Sequence, residues 1–292
     1  MPEQTRTGDP LAPLIAIIAH EHDEFVERQF YLRELARAWQ DNGLDVGMYI
    51  RPSTKARADI AILHVNLTLV PPEYAEFAQS FPITLNVRTT DISKRTISAN
   101  ILQRDSNYDG PVIVKGNENY GGTPEMRLEG LLEKAAVAAL PHRSPQATHK
   151  RLSTYDYYVV DALDKVSEDV WANPYLVVEK FLPEREGDAY VMRTWHFLGD
   201  AGFHTKLYGH SPIIKSKACF KREPIPEPPP DELLEARQKL GFDYGKFDYA
   251  IHDGKFVLYD VNRTPTLGGI APELIKDNLG ILQRGIYKYL SQ

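Results

Sequence analysis

The chain has 292 residues, of which 42% are hydrophobic and 25% charged, close to the averages for globular proteins. These fractions exclude an intrinsically disordered chain and a fibrous repeat, and the length corresponds to one large domain or to two of about 150 residues. Thirty-four basic and 40 acidic side chains give a formal net charge of -6. Proteins that coat nucleic acids or membrane surfaces carry basic binding faces, so we expect no nucleic-acid and no membrane partner.

Cysteine usage and the N-terminal hydropathy indicate the compartment. Cys219 is the only cysteine in the sequence, which excludes an intrachain disulfide and a cysteine-based zinc site. The apolar run from Leu14 to Ala19 is too short to span a bilayer and has no basic leader before it. We therefore predict a cytoplasmic protein.

Short apolar strands alternate with amphipathic helices in the first 90 residues. One helix carries apolar side chains at helical spacing from Phe25 to Trp39 and ends at Gly43. Such alternation is typical of a parallel sheet with crossover helices, so we predict a small α/β domain over residues 12–90. The predicted strands are 14–20, 45–49, 60–65 and 83–87, and the predicted helices are 24–42 and 72–80.

The remaining two thirds of the chain predict an α+β arrangement. Turn signals at Gly199-Asp200 and Asp253-Gly254 join apolar runs of the kind found in antiparallel sheets. The prolines of residues 223–230 favour an extended, polyproline-like connector. The predicted helices are 93–103 and 125–140, and the predicted strands are 112–115, 155–161, 175–182, 190–198, 202–208, 247–252 and 255–261.

Two carboxylates and an amide flank the Asp253-Gly254 turn, and the length of the loop decides whether they share a face. With a two-residue loop, Asp248 would lie opposite Tyr259 and point away from Asp260, because side chains alternate along a strand. With a three-residue loop, Asp248 lies opposite Asp260, and Asn262 follows two residues later on the same face. We predict the three-residue loop.

An oxygen-only set of this kind suits Mg²⁺, which favours one or two carboxylates completed by water and phosphate oxygens. Asp248, Asp260 and Asn262 are therefore candidate magnesium ligands. The alternative that the spacing leaves open is an ordinary turn followed by a polar sheet edge.

A second pattern begins with the strand Val112 to Lys115, which delivers a lysine into a loop containing Gly121 and Gly122. Glycines let backbone N–H groups approach phosphate oxygens, and the lysine adds a positive charge. The loop matches neither the Walker sequence nor G-x-G-x-x-G. A lysine that simply ends a strand before a flexible loop is the alternative interpretation.

A third pattern is the segment from Tyr175 to Leu182, followed by Glu186. Free backbone groups at the end of an extended segment could pair with the edge of a purine, and the later carboxylate could accept hydrogen bonds from ribose hydroxyls. Taken alone, the segment is a strand and a loop.

The order of these three patterns resembles the ATP-grasp superfamily over residues 83–275, most closely the D-alanine:D-alanine ligases and RimK-like ligases. The resemblance implies a small parallel α/β domain followed by two α+β subdomains that clasp ATP. The implied domains are a pre-ATP-grasp domain at 12–90, a subdomain with the phosphate lid at 91–175 and a C-terminal subdomain with the metal site at 176–292.

The resemblance also implies a role for individual residues. The implied ATP-binding residues are Lys94, Lys115, Gly121, Gly122, Glu179, Lys180, Leu182 and Glu186. The two lysines would bind phosphates, the glycines would form the lid, residues 179–182 would face adenine, and Glu186 would face ribose. The implied magnesium ligands are Asp248, Asp260 and Asn262.

The cation that stabilises the transferring phosphoryl group is assigned less directly. Lys246 stands where D-alanine ligases often have an arginine, and a lysine cannot form the same bidentate clamp. The candidates for this catalytic role are Lys246, Arg193, Lys215, Lys217 and Arg263. His20 to Asp23, His64 and Asn66 follow predicted strands at the edge where α/β sheets bind ligands, and they either touch a substrate or form helix-entry loops.

The function that the resemblance implies is an ATP- and Mg²⁺-dependent ligase that joins a carboxylate to an amine through an acyl phosphate. Its cofactors would be ATP and Mg²⁺, and its substrates a small-molecule or peptide carboxylate and an amine. The alternatives are an ATP-grasp kinase that phosphorylates a small acceptor and a non-catalytic nucleotide-binding module. Relatives of similar size often form homodimers, which is an analogy for this chain.

Overall fold

A computed structural model describes residues 14–54, 56–130, 151–215 and 218–290. They form two compact units. The first unit comprises the described residues up to Asn66, Val70–Thr90 and those from Glu184 onward, and the second comprises Leu67–Leu69 and Asp91–Pro183. The three-domain division inferred from the sequence uses other boundaries and stays a prediction.

The first part of unit one is the parallel α/β layer that the sequence predicts. Its elements are β1 (Leu14–Ile18), α1 (Tyr31–Asp41), β2 (Asp45–Tyr49), β3 (Ile60–Leu63), α2 (Pro72–Gln79) and β4 (Ile83–Leu85). The four strands are parallel in the order β2-β1-β3-β4. Helices α1 and α2 each connect strands of this one sheet, as in other parallel sheets with crossover connections.

Helix α1 is shorter than predicted. Residues 21–28 form turns, in which Glu24 adopts a positive φ of 51°. Phe30 forms a β-bridge with Thr266, and the Tyr31 N–H donates to the Pro265 carbonyl at 2.9 Å. These long-range backbone contacts hold the chain extended just before the helix, so the predicted start at residue 24 is wrong.

Unit two contains a small antiparallel sheet. Its elements are α3 (Lys94–Ile97), β5 (Val112–Gly116), a 3-10 helix (Asn119–Gly122), α4 (residues 123–130), β6 (Tyr158–Val160), a 3-10 helix (Leu163–Lys165), α5 (Glu168–Trp171) and β7 (Leu176–Lys180). The strand order is β6-β5-β7. The predicted helix 125–140 therefore begins as expected, and its residues from 131 onward lie outside the described residues.

The predicted helix 93–103 is mostly extended chain. Ile101 forms a β-bridge with Glu179, and the Leu102 N–H donates to the Val178 carbonyl at 2.8 Å. The Lys180 N–H donates to the Asn100 carbonyl at 2.9 Å. Residues 100–102 thus satisfy the outer edge of β7, and this pairing outweighs the local preference for helix.

The rest of unit one is a six-stranded sheet with helices. The elements are β8 (Glu184–Glu186), β9 (Ala189–Leu198), β10 (Ala201–Gly209), β11 (Cys219–Ile225), α6 (Asp231–Leu240), β12 (Tyr244–His252), β13 (Lys255–Asn262), a 3-10 helix (Pro272–Ile275), α7 (Lys276–Leu282), a second 3-10 helix (Gln283–Ile286) and α8 (Tyr287–Leu290). The strand order is β11-β10-β9-β12-β13, and β8 pairs with β9.

The proline-rich segment is only partly a connector. Its first residues belong to β11, which pairs with β10 alone at the edge of the sheet. Pro224 is tolerated there because an edge strand can spare one N–H group. The residues that follow lead into α6, which the sequence analysis did not predict.

A single core joins the parallel sheet, α1 and the C-terminal helices of unit one. Trp39 of α1 is fully buried, and its indole N–H donates to the Gln283 carbonyl at 3.0 Å. Ile15, Leu282 and Ile286 belong to the same hydrophobic cluster. Each buried aliphatic side chain of this size contributes about 1.5–3 kcal/mol of transfer free energy. None of the helices in the described parts of the chain has the length and hydropathy needed to cross a membrane.

Candidate functional site

The hairpin of β12 and β13 brings Asp248 opposite Asp260, but by a different route from the predicted one. Its loop has two residues, because His252 pairs with Lys255, so the predicted three-residue loop is wrong. A β-bulge shifts the register between Asp248 and Tyr249, and it places Leu258 opposite Tyr249 and Asp260 opposite Asp248. The extra residue on β13 restores the pairing that a two-residue loop would otherwise prevent.

Asp248 lies in a small cluster of charges on this hairpin. The Lys246 ammonium nitrogen is 2.9 Å from Asp248 Oδ2. Burial raises the pKa of the Asp248 carboxyl, and the neighbouring Asp260 raises it further, whereas Lys246 and Lys215 lower it. Within the described residues, Asp248 Oδ1 is buried and has no hydrogen-bond partner. Burial of a carboxylate oxygen without a partner is unfavourable, and a nearby cation would offset this cost.

The two other candidate ligands lie along β13. Asp260 Oδ1 accepts the Val261 N–H at 2.8 Å, and Asn262 Oδ1 accepts the Thr264 N–H at 2.8 Å. Asn262 is the register partner of Lys246. No group of three or more His, Cys, Asp or Glu residues that could hold a metal occurs in the described part of the chain. The set here has two carboxylates and one amide, which suits a hard divalent ion that keeps several waters, so the residues present fit Mg²⁺.

The candidate cations differ in what they touch. Arg193 donates through Nε and an Nη to Glu184 at 2.6–3.1 Å, and Glu184 also accepts the Ile251 N–H at 2.7 Å. Arg263 is fully buried and donates to the backbone carbonyls of Val65 and Thr89. Lys215 acts electrostatically on Asp248, and Lys217 lies outside the described residues. Lys246 and Lys215 are thus the candidates that the structure brings to the acidic pair.

Glu186, the implied ribose ligand, belongs to a second polar cluster of unit one. Its carboxylate accepts from the Lys206 ammonium at 2.5 Å and from the Tyr208 hydroxyl at 2.8 Å. The hydrogen bond from Lys206 lowers the pKa of Glu186. Glu186 is therefore charged at neutral pH and is part of an existing network.

Unit two brings Lys115 and Glu179 together. Lys115 Nζ donates to Glu179 Oε2 at 2.6 Å, and both side chains are buried. The strands pair Ile113 with Glu179 and Lys115 with Val177, so the two charged side chains are diagonal neighbours on one face. Glu179 Oε1 is buried without a hydrogen-bond partner among the described residues. It is free to accept from a ligand donor such as an amino group.

Lys94 is tied to the end of the same strand. Its backbone N–H donates to the Asn117 carbonyl at 2.8 Å, and the neighbouring Arg95 N–H donates to Asn117 Oδ1 at 3.1 Å. The lysine is 2% exposed. Lys94 and Lys115 therefore both lie at the end of β5, although 21 positions separate them in the sequence.

The glycine loop has a left-handed backbone over three consecutive residues. Tyr120, Gly121 and Gly122 all have positive φ values of 51°, 64° and 73°. A Cβ at Gly121 would lie 2.7 Å from the Leu152 carbonyl oxygen, so no other residue fits there. The Thr68 hydroxyl accepts the Asn119 N–H at 2.9 Å, and the Thr68 N–H donates to Glu125 at 2.6 Å, so both sides of the loop are anchored.

The prediction that the backbone groups at the end of β7 are free is wrong for two N–H groups. The Lys180 N–H donates to the Asn100 carbonyl, and the Phe181 N–H donates to the Pro111 carbonyl, both at 2.9 Å. Lys180 lies with its ammonium 5.5 Å from the Tyr108 ring centre. Leu182, which follows, is partly exposed. The adenine-facing role of this segment stays a prediction.

The sequence analysis missed Glu184, Thr68 and Arg151. Glu184 is 6% exposed and holds Arg193. Arg151 pairs with Glu118 and Glu129 on either side of the glycine loop, which raises the pKa of its guanidinium. Each of these residues acts through partners distant in sequence, so no local pattern could have found them.

Comparison with known proteins bears on the fold. No protein-family model and no curated protein sequence matches the chain. Among solved structures, the chain is similar to a RiPP-associated ATP-grasp ligase from Chryseobacterium gregarium in complex with ADP and leader and core peptides, with 12% identity and a TM-score of 0.50 over 94% of this chain and 97% of that one. It is equally similar to the ATP-grasp ligase PsnB complexed with a minimal precursor, Mg and ADP, with 12% identity and a TM-score of 0.50 over 94% and 96%.

A third similar structure is a D-alanine–D-alanine ligase from Bacillus anthracis, with 12% identity, a TM-score of 0.45 and coverage of 95% of both chains. At these identities, similarity is evidence about architecture. The parallel layer, the antiparallel sheets and their order along the chain agree with that architecture. The chain has the ATP-grasp fold.

Proposed function

We propose that the protein is an ATP- and Mg²⁺-dependent ligase that joins a carboxylate to an amine through an acyl phosphate. The observation that carries this proposal is the pairing of Asp248 with Asp260 on an ATP-grasp fold, with a buried Asp248 oxygen that lacks a hydrogen-bond partner among the described residues. A pair of like charges with an unpartnered oxygen is stabilised by a bound cation.

In this proposal, Asp248, Asp260 and Asn262 hold Mg²⁺. The ion would neutralise charge that develops on the phosphate oxygens of ATP. Lys246 and Lys215 supply additional positive charge at the same hairpin, since both already act on Asp248. Phosphoryl transfer depends mainly on such positioning and charge, so no nucleophilic side chain is required.

We assign the nucleotide-binding roles to the residues that the resemblance implies. Lys94 and Lys115 would bind phosphates, Gly121 and Gly122 would offer backbone N–H groups to them, and the positive φ values of the loop support that role. A further group is assigned to the nucleoside, with adenine facing Glu179, Lys180 and Leu182 and ribose facing Glu186.

The proposed reaction has two balanced steps. A carboxylate oxygen of the substrate attacks the γ-phosphorus, and the bond between that phosphorus and the β–γ bridging oxygen breaks, which releases ADP. A neutral amine then attacks the acyl carbon, the C–N bond forms and the bond to phosphate breaks. The amine proton leaves with phosphate or solvent. Exclusion of water protects the acyl phosphate between the two steps.

Two alternatives make different demands. A kinase would stop after phosphoryl transfer and would not require an amine. A non-catalytic nucleotide-binding module would bind Mg-ATP without turnover. Of the two similar structures with a TM-score of 0.50, one was determined with a leader and core peptide and the other with a minimal precursor, so peptides belong beside amino acids among the carboxylates to be tested.

The test combines binding with turnover. We expect Mg-ATP to raise the unfolding temperature, and a panel of carboxylates and amines to identify a pair that releases ADP. Hydroxylamine in place of the amine should yield a hydroxamate, because it captures the acyl phosphate. Release of ADP with a phosphorylated acceptor and no hydroxamate would favour the kinase, and a temperature shift without turnover would favour the binding module. No shift with Mg-ATP would contradict all three.

A matched pair of variants tests the metal assignment. Asp260→Asn should lower turnover at least about a hundredfold, because a lost ligand charge weakens metal binding, and even the loss of a residue that only holds a metal ligand costs about tenfold or more. Asp253→Asn makes the same change on the exposed turn of the same hairpin, and it should retain the wild-type rate. Full activity of Asp260→Asn would contradict the assignment.

A further inference from the structure

The segment that leaves β13 is held by buried hydrogen bonds of its own. Thr264, two residues beyond Asn262, is 2% exposed. Its N–H donates to Asn262 Oδ1 at 2.8 Å, and its hydroxyl lies 2.7 Å from Asn66 Oδ1 and 3.3 Å from Asn262 Oδ1. A hydroxyl has one proton, so it donates to the nearer oxygen, that of Asn66. Thr264 therefore links Asn262 to the loop that follows β3.

The same set of hydrogen bonds continues toward β1. The Asn66 N–H donates to Asp23 Oδ2 at 3.0 Å, and the His20 N–H donates to the same oxygen at 2.8 Å. Asp23, Asn66 and His20 are all buried. The loss of a hydrogen-bond partner is costly for a buried polar group, so each member constrains the position of the next.

Arg263 also holds the segment that leaves β13 in place. Its guanidinium, fully buried, donates to the Val65 carbonyl at 3.2 Å and also to the Thr89 carbonyl. The backbone between Asn262 and Thr264 is thus fixed against the loops after β3 and β4. The Thr264 N–H that binds Asn262 Oδ1 belongs to this backbone, and the hydroxyl bond to Asn66 holds the same residue at its side chain.

We propose that Thr264 and Asn66 are positioning residues of the magnesium site, with Thr264 orienting the Asn262 side chain and Asn66 holding Thr264 in place. This inference rests on the proposed function, because it takes Asn262 as a metal ligand. Partners behind a metal ligand fix its orientation, and their removal commonly weakens metal binding by about 10–100-fold. The loops of the parallel sheet thereby contribute to metal affinity without touching the metal.

The test measures Mg²⁺ binding in the presence of ADP by isothermal titration calorimetry. Thr264→Val keeps the shape and the backbone N–H but removes the hydroxyl, and it should weaken Mg²⁺ binding about tenfold or more. Asn66→Ala should have the same effect, and the double variant should be no weaker than either single variant, because both changes remove one interaction. Thr264→Ser keeps the hydroxyl and should restore affinity to within about twofold.

The controls separate orientation from general damage. Thr266→Val makes the same change at an exposed position of the same segment and should bind Mg²⁺ as the wild type does. Binding of ADP without metal should be the same in all variants. If Thr264→Val does not fold, Asn66→Ala decides the question alone.

Three results would overturn the inference while the proposed function stands. These are wild-type Mg²⁺ affinity in Thr264→Val or Asn66→Ala, equal weakening by Thr264→Val and Thr264→Ser, and additive losses in the double variant. A wild-type protein that binds no Mg²⁺ with ADP would instead overturn the proposed function, and the inference with it.

Discussion

His64 is a fully buried histidine that the sequence marked as a candidate for substrate contact. Its ring packs edge-on against Phe25 and Phe30, with centroids 5.1 and 4.8 Å away, and is stacked 6.4 Å from Tyr244. In the described structure, neither ring nitrogen has a hydrogen-bond partner. Burial lowers the pKa of His64 to about 3. The residue is part of the core and does not face a ligand.

His64 should make the protein sensitive to acid. Its folded-state pKa of about 3 lies below the unfolded value of 6.5, so the unfolded state binds more protons below pH 6.5. The free energy of unfolding therefore decreases as the pH is lowered below 6.5. His64→Leu removes this term. Between pH 7.5 and pH 5, we expect the free energy of unfolding of the variant to rise by about 2 kcal/mol relative to that of wild type. His64 contributes only below its unfolded pKa of 6.5, and the 1.5 pH units from there to pH 5 correspond to about 2 kcal/mol.

Denaturant unfolding at the two pH values measures this difference, and His22→Leu, at an exposed position, is the control. Burial lowers the pKa of His204 in the same way, to about 4, and adds a loss of the same sign. Asp23 acts in the opposite direction, because its raised pKa of about 7 favours the folded state as the pH falls. An unchanged pH dependence in His64→Leu would show that its ring is solvated.

Among the elements, the β12–β13 hairpin separates its turn from the proposed metal site. Asp253 and Gly254 have positive φ values of 49° and 76°, which is the type I′ geometry that matches the twist of a two-residue hairpin. The bulge lies between this turn and Asp260. The turn therefore sets the first four strand pairs, and the bulge sets the pairing of the carboxylates.

Gly254→Ala tests this separation. No heavy atom among the described residues lies within 4 Å of a Cβ built at Gly254, so the cost is that of placing alanine at positive φ, about 1 kcal/mol. We expect this loss in denaturant unfolding, with unchanged Mg²⁺ affinity by calorimetry. Gly245→Ala is the contrast, because its Cβ would lie 2.8 Å from the Asn262 carbonyl oxygen and should weaken Mg²⁺ binding. Reduced Mg²⁺ affinity in Gly254→Ala would contradict the role of the bulge.

At the scale of the molecule, unit one is assembled from distant parts of the chain, and Asn86 connects them. This fully buried residue follows β4 directly and has a positive φ of 63°. Its side chain donates to the Tyr244 carbonyl at 2.8 Å and accepts the N–H groups of Asp243 and Tyr244 at 2.9 and 3.0 Å. Three hydrogen bonds of one side chain thus join the parallel sheet to the start of β12.

Asn86→Ala should destabilise unit one as a whole. Loss of three buried hydrogen bonds costs about 3 kcal/mol at about 1 kcal/mol each, and alanine at positive φ adds about 1 kcal/mol. Hydrogen exchange should speed up in both sheets of the unit. Asn86→Gly should recover the smaller part of this loss, because glycine tolerates the positive φ. Asn42→Ala, at an exposed position, should change the free energy of unfolding little. Faster exchange confined to residues near position 86 would contradict this coupling.

The sequence alone predicts the alternation of strands and helices in the first 90 residues, the parallel sheet that they form and the residues of the acidic pair. These features depend on side-chain periodicity and on turn residues such as Gly254, which act over a few neighbours. The ATP-grasp fold expected from the order of motifs is confirmed at this level. The candidate ligands Asp248 and Asp260 do lie opposite each other, although the loop predicted to pair them does not form.

Tertiary structure decided the bulge that pairs the carboxylates, the extended course of residues 100–102 and the late start of α1. For residues 100–102 and for the start of α1, a backbone hydrogen bond to a segment distant in sequence outweighed the local preference. The hydrogen bonds from Thr264 to Asn66 and from Arg193 to Glu184 join side chains of different segments and also depend on the folded structure. Such contacts join side chains that share no periodic pattern, so they exist only once the sheets have formed.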